Sequence, residues 1–214
     1  MPGKKARGYY ESHRDEIADL IPHHCERILD VGCGYGGLGV LLKKQRNRFV
    51  FGIEINASAA RHLTQRYDRF FIGSVDDFDI ESIRNKFDCM VFADVLEHLI
   101  DPWATLDRFM VGLATGGTVI ISVPNVRNLA VILKLLIKGR WEYKPSGILD
   151  EGHLRFFTKK ELVGMIKHVG LYPERILLQK DYYAPWFRLF ASAASMIAPE
   201  LDACQIIVRA TKKN

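Results

Sequence analysis

The stretch Asp30-Val-Gly32-Cys-Gly34-Tyr-Gly36-Gly37 restricts this chain more than any other. It follows the apolar run Arg27–Val31 and precedes Leu38–Lys44, a segment of helical composition with Leu38, Leu41 and Leu42 on one face. Glycines clustered after a strand allow a sharp turn into a helix, and backbone without Cβ atoms can approach a ligand closely. Gly32, Gly34 and Gly37 satisfy G-x-G-x-x-G, which by itself fits a nicotinamide or flavin site. Asp30 separates two readings. A pyrophosphate at the helix start would be repelled by a carboxylate just ahead of it, whereas a ligand carrying an ammonium and a sulfonium would be attracted. Glu54, 17 residues past Gly37, can accept hydrogen bonds from both hydroxyls of a ribose under either reading.

The rest of the chain places this loop in an alternating pattern. Arg48–Glu54 reads as a second strand, and Asn56 as the N-cap of a helix through Tyr67. Phe70–Gly73 is a short third strand. Phe87–Ala93 is a fourth, apolar on both faces as a central parallel strand should be. Asp101-Pro102 opens a helix to about Gly112, and Thr118–Val123 is a fifth strand closed by Pro124. Beyond it lie an apolar helix, Leu129–Ile137, and a loop rich in Trp, Tyr, Pro and Gly. Thr158 and Glu161 then form a capping box for a helix ending near Gly170. Leu171–Gln179 and Cys204–Thr211 close the chain as a strand pair. The expected fold is α/β, a Rossmann-like doubly wound and mostly parallel sheet. With 214 residues it makes a single domain, its core at about 25–124 and 158–214. Insertions at 125–157 and 182–199 are expected to cap one edge of the sheet.

Ile28–Gly37, Phe51–Glu54 and Phe87–Pro102, in this order and spacing, resemble the class I S-adenosylmethionine-dependent methyltransferases over roughly residues 25–124. The resemblance implies seven strands with the last antiparallel, and S-adenosyl-L-methionine as cofactor. Carried over by position, Asp30, Gly32 and Gly34 line the methionine part, with Cys33 between the glycines as a small space-filler. Glu54 holds the ribose and Ile55 packs on the adenine. Many relatives place an Asp after a Gly in the adenine loop. This chain has Gly73-Ser74-Val75-Asp76, so the Ser74 hydroxyl or Asp76 must serve. Asp94, ending the fourth strand, faces cofactor or acceptor, and Tyr9 of the Tyr9-Tyr10 pair closes over the cofactor. His98 is read as a packing residue.

The stretch Asp150-x-x-His153-x-Arg155-x-Phe-Thr158 resembles that of methyltransferases in polysaccharide-biosynthesis pathways. This implies O-methylation of a sugar or another small or carrier-linked hydroxyl, a lipid- or nucleotide-linked acceptor included. His153 is the expected general base or acceptor-orienting residue, because an imidazole with a pKa near about 6.5 can draw a proton from a hydroxyl. Two other readings stay open: a cofactor-binding module that acts through a partner without turnover, and an NAD-dependent oxidoreductase, against which Asp30 argues.

Charge and apolar pattern bear on partners. Residues 125–160 carry eight basic and three acidic side chains, an excess equal to the +5 of the whole chain. That segment is where an anionic acceptor would be met. The apolar stretches 129–137 and 186–198 suit a lid, a homodimer contact or peripheral membrane contact. No Asp/Asn-Pro-Pro-aromatic motif follows the fourth strand, so no nucleic acid is expected. Four scattered cysteines without C-x-x-C spacing suggest neither a disulfide framework nor a zinc site, and no metal is expected. No apolar run follows Lys4, Lys5 and Arg7, so a cytoplasmic location without a secretory leader is expected.

Overall fold

The computed structural model describes residues 15–180 and 191–213. Seven strands form one sheet in the order β3-β2-β1-β4-β5-β7-β6. The strands are β1 (Arg27–Val31), β2 (Phe49–Glu54), β3 (Arg69–Ile72), β4 (Phe87–Ala93), β5 (Leu113–Pro124), β6 (Leu171–Lys180) and β7 (Ala203–Lys212). The pairs among β1 to β5 are parallel, and β7 runs antiparallel between β5 and β6. The fold is thus the Rossmann-like doubly wound sheet expected from the alternating pattern, with an antiparallel last strand.

Two apolar layers flank the sheet because its central strands are covered on both sides. Ile28, Cys89, Val91, Ile120 and Ile207 face α1 (15–20), α2 (Gly37–Gln45) and α3 (Ala60–Arg66). Leu29, Val31, Met90, Phe92, Ile121 and Val208 face the layer holding α4 (Pro102–Phe109) and α6 (Lys159–His168). The first reversal of strand order lies between β1 and β4. The carboxyl ends of these two strands therefore open the crevice where such sheets bind ligands.

Local signals account for most element ends. Asp101 caps α4 through Ala104 N–H at 3.0 Å, with Pro102 at the first helical position. Thr158 caps α6 through Glu161 N–H at 3.3 Å. Two differences from expectation, and one irregular connection, have simple causes. Asn56 caps a single 3-10 turn, Ala57–Ala59, before α3 begins. Only 3-10 turns, Val75–Asp77 and Ile80–Ile83, join β3 to β4, where Phe78, Ile80 and Ile83 supply the packing a helix would give. And β5 starts at Leu113, ahead of Gly116-Gly117, because Gly116 takes a left-handed φ of 73° and absorbs the register shift against β4.

The segment after β5 is anchored at both ends. Asn125 bridges Phe157, and α5 (Leu129–Lys138) is capped by the Asn128 side chain. Asn125 and Asn128 also donate to the Ala203 carbonyl at the start of β7. The later insertion, 182–199, is described only from residue 191, where 191–195 are helical.

Candidate functional site

The glycine loop closes β1 with three left-handed residues, Gly32, Gly34 and Gly36, at φ of 70°, 54° and 81°. At Gly32 a second constraint applies. A Cβ there would lie 2.2 Å from Val95 Cγ2 of the turn after β4, so the two strand ends touch only because this residue has no side chain. The loop is pinned to β2 by the N–H groups of Gly32 and Cys33, which both donate to the Ile53 carbonyl. Cys33 is buried with its sulfur over Gly52.

Two carboxylates act on this loop from different sides. Asp30 is buried beneath it and accepts from the Tyr67 hydroxyl, which in turn accepts from Gly39 N–H at 3.2 Å. It thereby ties β1, the first turn of α2 and the end of α3 together. Glu54 ends β2 and bridges backbone groups, one oxygen accepting from Gly34 N–H at 2.7 Å and the other from Asn56 N–H at 2.8 Å. A carboxylate has about four acceptor positions, so each Glu54 oxygen keeps capacity for a ligand hydroxyl.

Ile55, next to Glu54, is 73% exposed, an apolar surface presented beside the loop. Ser74 accepts from Asp76 N–H at 3.2 Å and caps the turn that buries Val75. Asp76 points to solvent toward Arg108, 3.8 Å away. The Arg108 guanidinium also donates to the carbonyls of Val75 and Phe78, so it shapes this turn from α4. Nothing in the sequence pattern marked Arg108. Tyr9 lies outside the described residues.

At the end of β4, Asp94 holds a left-handed φ of 57°, a conformation that costs a non-glycine residue energy. It is held there by its N–H donating to the Ser122 carbonyl and by Gln205 Nε2 donating to its carboxylate. Gln205 Nε2 donates to Ser122 Oγ as well, at 2.8 Å. A short turn, Leu96–His98, follows, and the Glu97 carbonyl accepts from Leu154 and Arg155 N–H.

That backbone clasp brings residues 55 apart in the chain into one group. His98 Nδ1 meets the Gly152 carbonyl at 2.8 Å, and the His98 and His153 rings lie edge to face at 4.9 Å. His153 Nδ1 meets the Ile148 carbonyl at 3.0 Å, and since a carbonyl only accepts, Nδ1 carries a proton and donates it there. Nε2 then faces Glu97 Oε1, 4.0 Å away. Glu97, His98 and His153 each offer one atom within 4.8 Å of the others, a donor set that could hold a divalent cation such as zinc. The sequence pattern gives no sign of a metal site and nothing that joins His98 to His153. The spacing of 55 residues hid their meeting.

All four cysteines are free thiols. Cys25 and Cys89 share a hydrogen bond at the opposite end of the sheet, which lowers the first thiol's pKa and raises that of the second.

A glycine loop at the switch point, a carboxylate ending the neighbouring strand and a polar turn after β4 define a nucleoside-binding α/β enzyme class. A family model described as a methyltransferase domain matches residues 4–175. Among curated proteins, the ubiquinone biosynthesis O-methyltransferase of Xylella fastidiosa strain 9a5c is 29% identical over 189 residues, covering 80% of this chain and 70% of that protein. The protein of the same name from Cereibacter sphaeroides is 30% identical over 169 residues, covering 76% and 66%. A SAM-dependent methyltransferase structure from Archaeoglobus fulgidus superposes with a TM-score of 0.69 at 16% identity, over 98% of this chain and 96% of that one. The chain belongs to the class I S-adenosylmethionine-dependent methyltransferases. Membership sets aside the oxidoreductase reading of the glycine loop.

The residues present fit the cofactor. The Gly32–Val95 contact leaves no room for a side chain in the cradle, and Glu54 retains acceptor capacity beside the loop.

Proposed function

We propose that this chain transfers a methyl group from S-adenosylmethionine to a hydroxyl oxygen of a small or carrier-linked acceptor. Glu54, Ile55, Ser74, Val75 and Asp76 would hold the nucleoside, and Asp30, Gly32, Cys33 and Gly34 the loop under the methionine part. Asp94 borders the cofactor or the acceptor. The bound cofactor supplies a methyl carbon on a positively charged sulfur, open to displacement by an oxygen lone pair.

The observation that carries the oxygen assignment is the position of His153, held by the Ile148 carbonyl and set against Glu97. A hydroxyl, unlike a thiolate or a free amine, must lose its proton as it is methylated. The Ile148 carbonyl holds Nδ1 as a donor, which turns Nε2 toward Glu97 as the ring atom that would take that proton. Glu97 is placed to stabilise the imidazolium that results. The names of the curated relatives given above, both O-methyltransferases of ubiquinone biosynthesis, support oxygen as the acceptor atom. The Asp150–Thr158 pattern supports a sugar.

A methyl-transfer assay with labelled cofactor tests this against nucleotide sugars, lipid-linked saccharides and prenylated phenols, products being identified by mass. For the base, His153→Ala and His153→Gln should each lower turnover by about 10²-fold or more while leaving cofactor affinity within a few-fold. Retained turnover in His153→Ala removes His153 from the chemistry. The convergence of Glu97, His98 and His153 favours one second reading, in which a divalent cation polarises the acceptor oxygen. In that case a chelator abolishes turnover, added metal restores it, and His98→Ala is as damaging as His153→Ala.

A further inference from the structure

The helix α5 presents a problem that the methyl-transfer reading does not solve. Its sequence is Leu-Ala-Val-Ile-Leu-Lys-Leu-Leu-Ile-Lys, yet Leu129 is its one buried residue. From Leu135 to Ser146 every residue is exposed, with Leu136 at 75% and Ile137 at 74%. A helix of ten residues is not stabilised by its own hydrogen bonds, so an apolar face of this kind calls for a partner.

The same run carries Lys134, Lys138, Arg140 and Lys144 against a single acidic side chain, Glu142. That carboxylate is already taken by Lys134, whose ion pair holds the Glu142 carboxyl below its ordinary value. Lys138, Arg140 and Lys144 remain as an exposed basic border. Trp141 and Tyr143, rings with one apolar and one polar side, sit within it and pack against Phe156. Aliphatic tips, amphipathic aromatics and a basic border are the chemistry of a surface that lies in the interface of an anionic bilayer. A second copy of the chain meets this patch less well. A two-fold contact through α5 would set Lys138, Arg140 and Lys144 against their own copies. Ten residues of helix are about 15 Å long, too short to span, and no helix of the described residues is long and apolar enough to cross a membrane.

We infer that the α5 end and the loop to Ser146 form a docking surface for anionic lipid bilayers. Its position has a consequence for access. Trp141 packs on Phe156 at 5.1 Å between ring centres, and Phe156 lies 6.3 Å from His153. The docked face is therefore two ring contacts from the candidate base, and an acceptor dissolved in the bilayer would reach the site from that side. Docking itself does not depend on the methyl-transfer reading.

Co-sedimentation of the full chain with vesicles tests the inference, using phosphatidylcholine alone and phosphatidylcholine mixed with phosphatidylglycerol. The protein should sediment with the anionic vesicles and stay in solution with the neutral ones. Leu136→Ser with Ile137→Ser, and separately Lys138→Glu with Arg140→Glu, should each lower partitioning by about tenfold or more. Leu136→Trp should raise it, which keeps the test decisive if a polar double variant folds poorly. No sedimentation with anionic vesicles, or equal sedimentation of all variants, overturns the inference. A concentration-dependent dimer that Leu136→Ser with Ile137→Ser dissolves, in a protein that ignores vesicles, assigns the face to a second copy and overturns it too. None of these readouts involves turnover, so failure here leaves the catalytic proposal standing.

Discussion

Gly32 and Gly116 share a left-handed backbone and differ in what surrounds them. A Cβ at Gly32 would meet Val95 Cγ2 at 2.2 Å, whereas at Gly116 nothing lies within 4 Å. Backbone strain alone costs about 1–2 kcal/mol at such a φ. Gly116→Ala should therefore lose about 1 kcal/mol in urea unfolding. Gly32→Ala adds an overpacking cost of about 1–3 kcal/mol, and it also pushes the β4 turn away from the loop. Its cofactor affinity, measured by calorimetry on the folded fraction, should fall, while that of Gly116→Ala stays as in the parent. Equal losses at both positions would mean that Val95 yields freely and that the loop is not held by this contact. The loop's composition was visible in the chain from the start. What singled out Gly32 among its glycines was a contact with a residue 63 positions away, which no local pattern carries.

At the scale of elements, legibility followed the range of the forces involved. β1 and β4 were read with their observed ends, because glycines and charged residues punctuate runs buried on both faces. The start of β5 was missed since Gly116-Gly117 reads locally as a turn, and only pairing with β4 extends the strand through it. The Glu97–His98–His153 group was half legible. His98 and His153 stood out as a packing residue and a candidate base, Glu97 did not, and their meeting depends on the Leu154 and Arg155 N–H groups reaching the Glu97 carbonyl. A comparable long-range tie fastens α5, α6 and β7. Glu200, 8% exposed at its side chain, pairs with Arg127 and with Lys159 at 3.0 Å. Burial alone pushes the Glu200 carboxyl up, but its own backbone amide and the cations of Lys159 and Arg127 outweigh burial and hold it below its ordinary value. A carboxyl depressed on folding contributes its full stability above the unfolded value of about 4.3, and that stability is lost as pH falls through the folded value. Glu200→Gln should thus cost about 1 kcal/mol at neutral pH, the modest size reflecting partners that are a third to half exposed. The difference from the parent should shrink toward zero in acid. A penalty independent of pH would show that the amide is tolerated or rejected on packing grounds alone.

For the whole molecule, the candidate cofactor site has an unusual reach. Its residues come from β1, β2, the turn after β3 and the end of β4, and two ties extend it further. Asp30 connects it through Tyr67 to α2 and α3, and Asp94 connects it through Gln205 to β7, the last strand of the chain. A ligand that occupies such a site binds only when most of the sheet is formed, so its binding free energy adds to global stability and not to one loop. At a concentration 100 times its dissociation constant a ligand of the native state contributes about 2.7 kcal/mol. A chain of this size converts each kcal/mol into about 2–4 °C. S-adenosylmethionine or S-adenosylhomocysteine should then raise the melting temperature by about 5–10 °C in a single cooperative transition, with NAD giving no shift. Glu54→Gln removes a charge that the Gly34 and Asn56 N–H groups need and that ribose hydroxyls would use, so it should abolish most of the shift. His153→Ala lies outside the nucleoside pocket and should keep it. A shift with NAD and none with either sulfur compound would contradict the electrostatic role given to Asp30. A ligand-induced second transition would show that β7 melts apart from the site, so that the Gln205 tie does not transmit the binding energy.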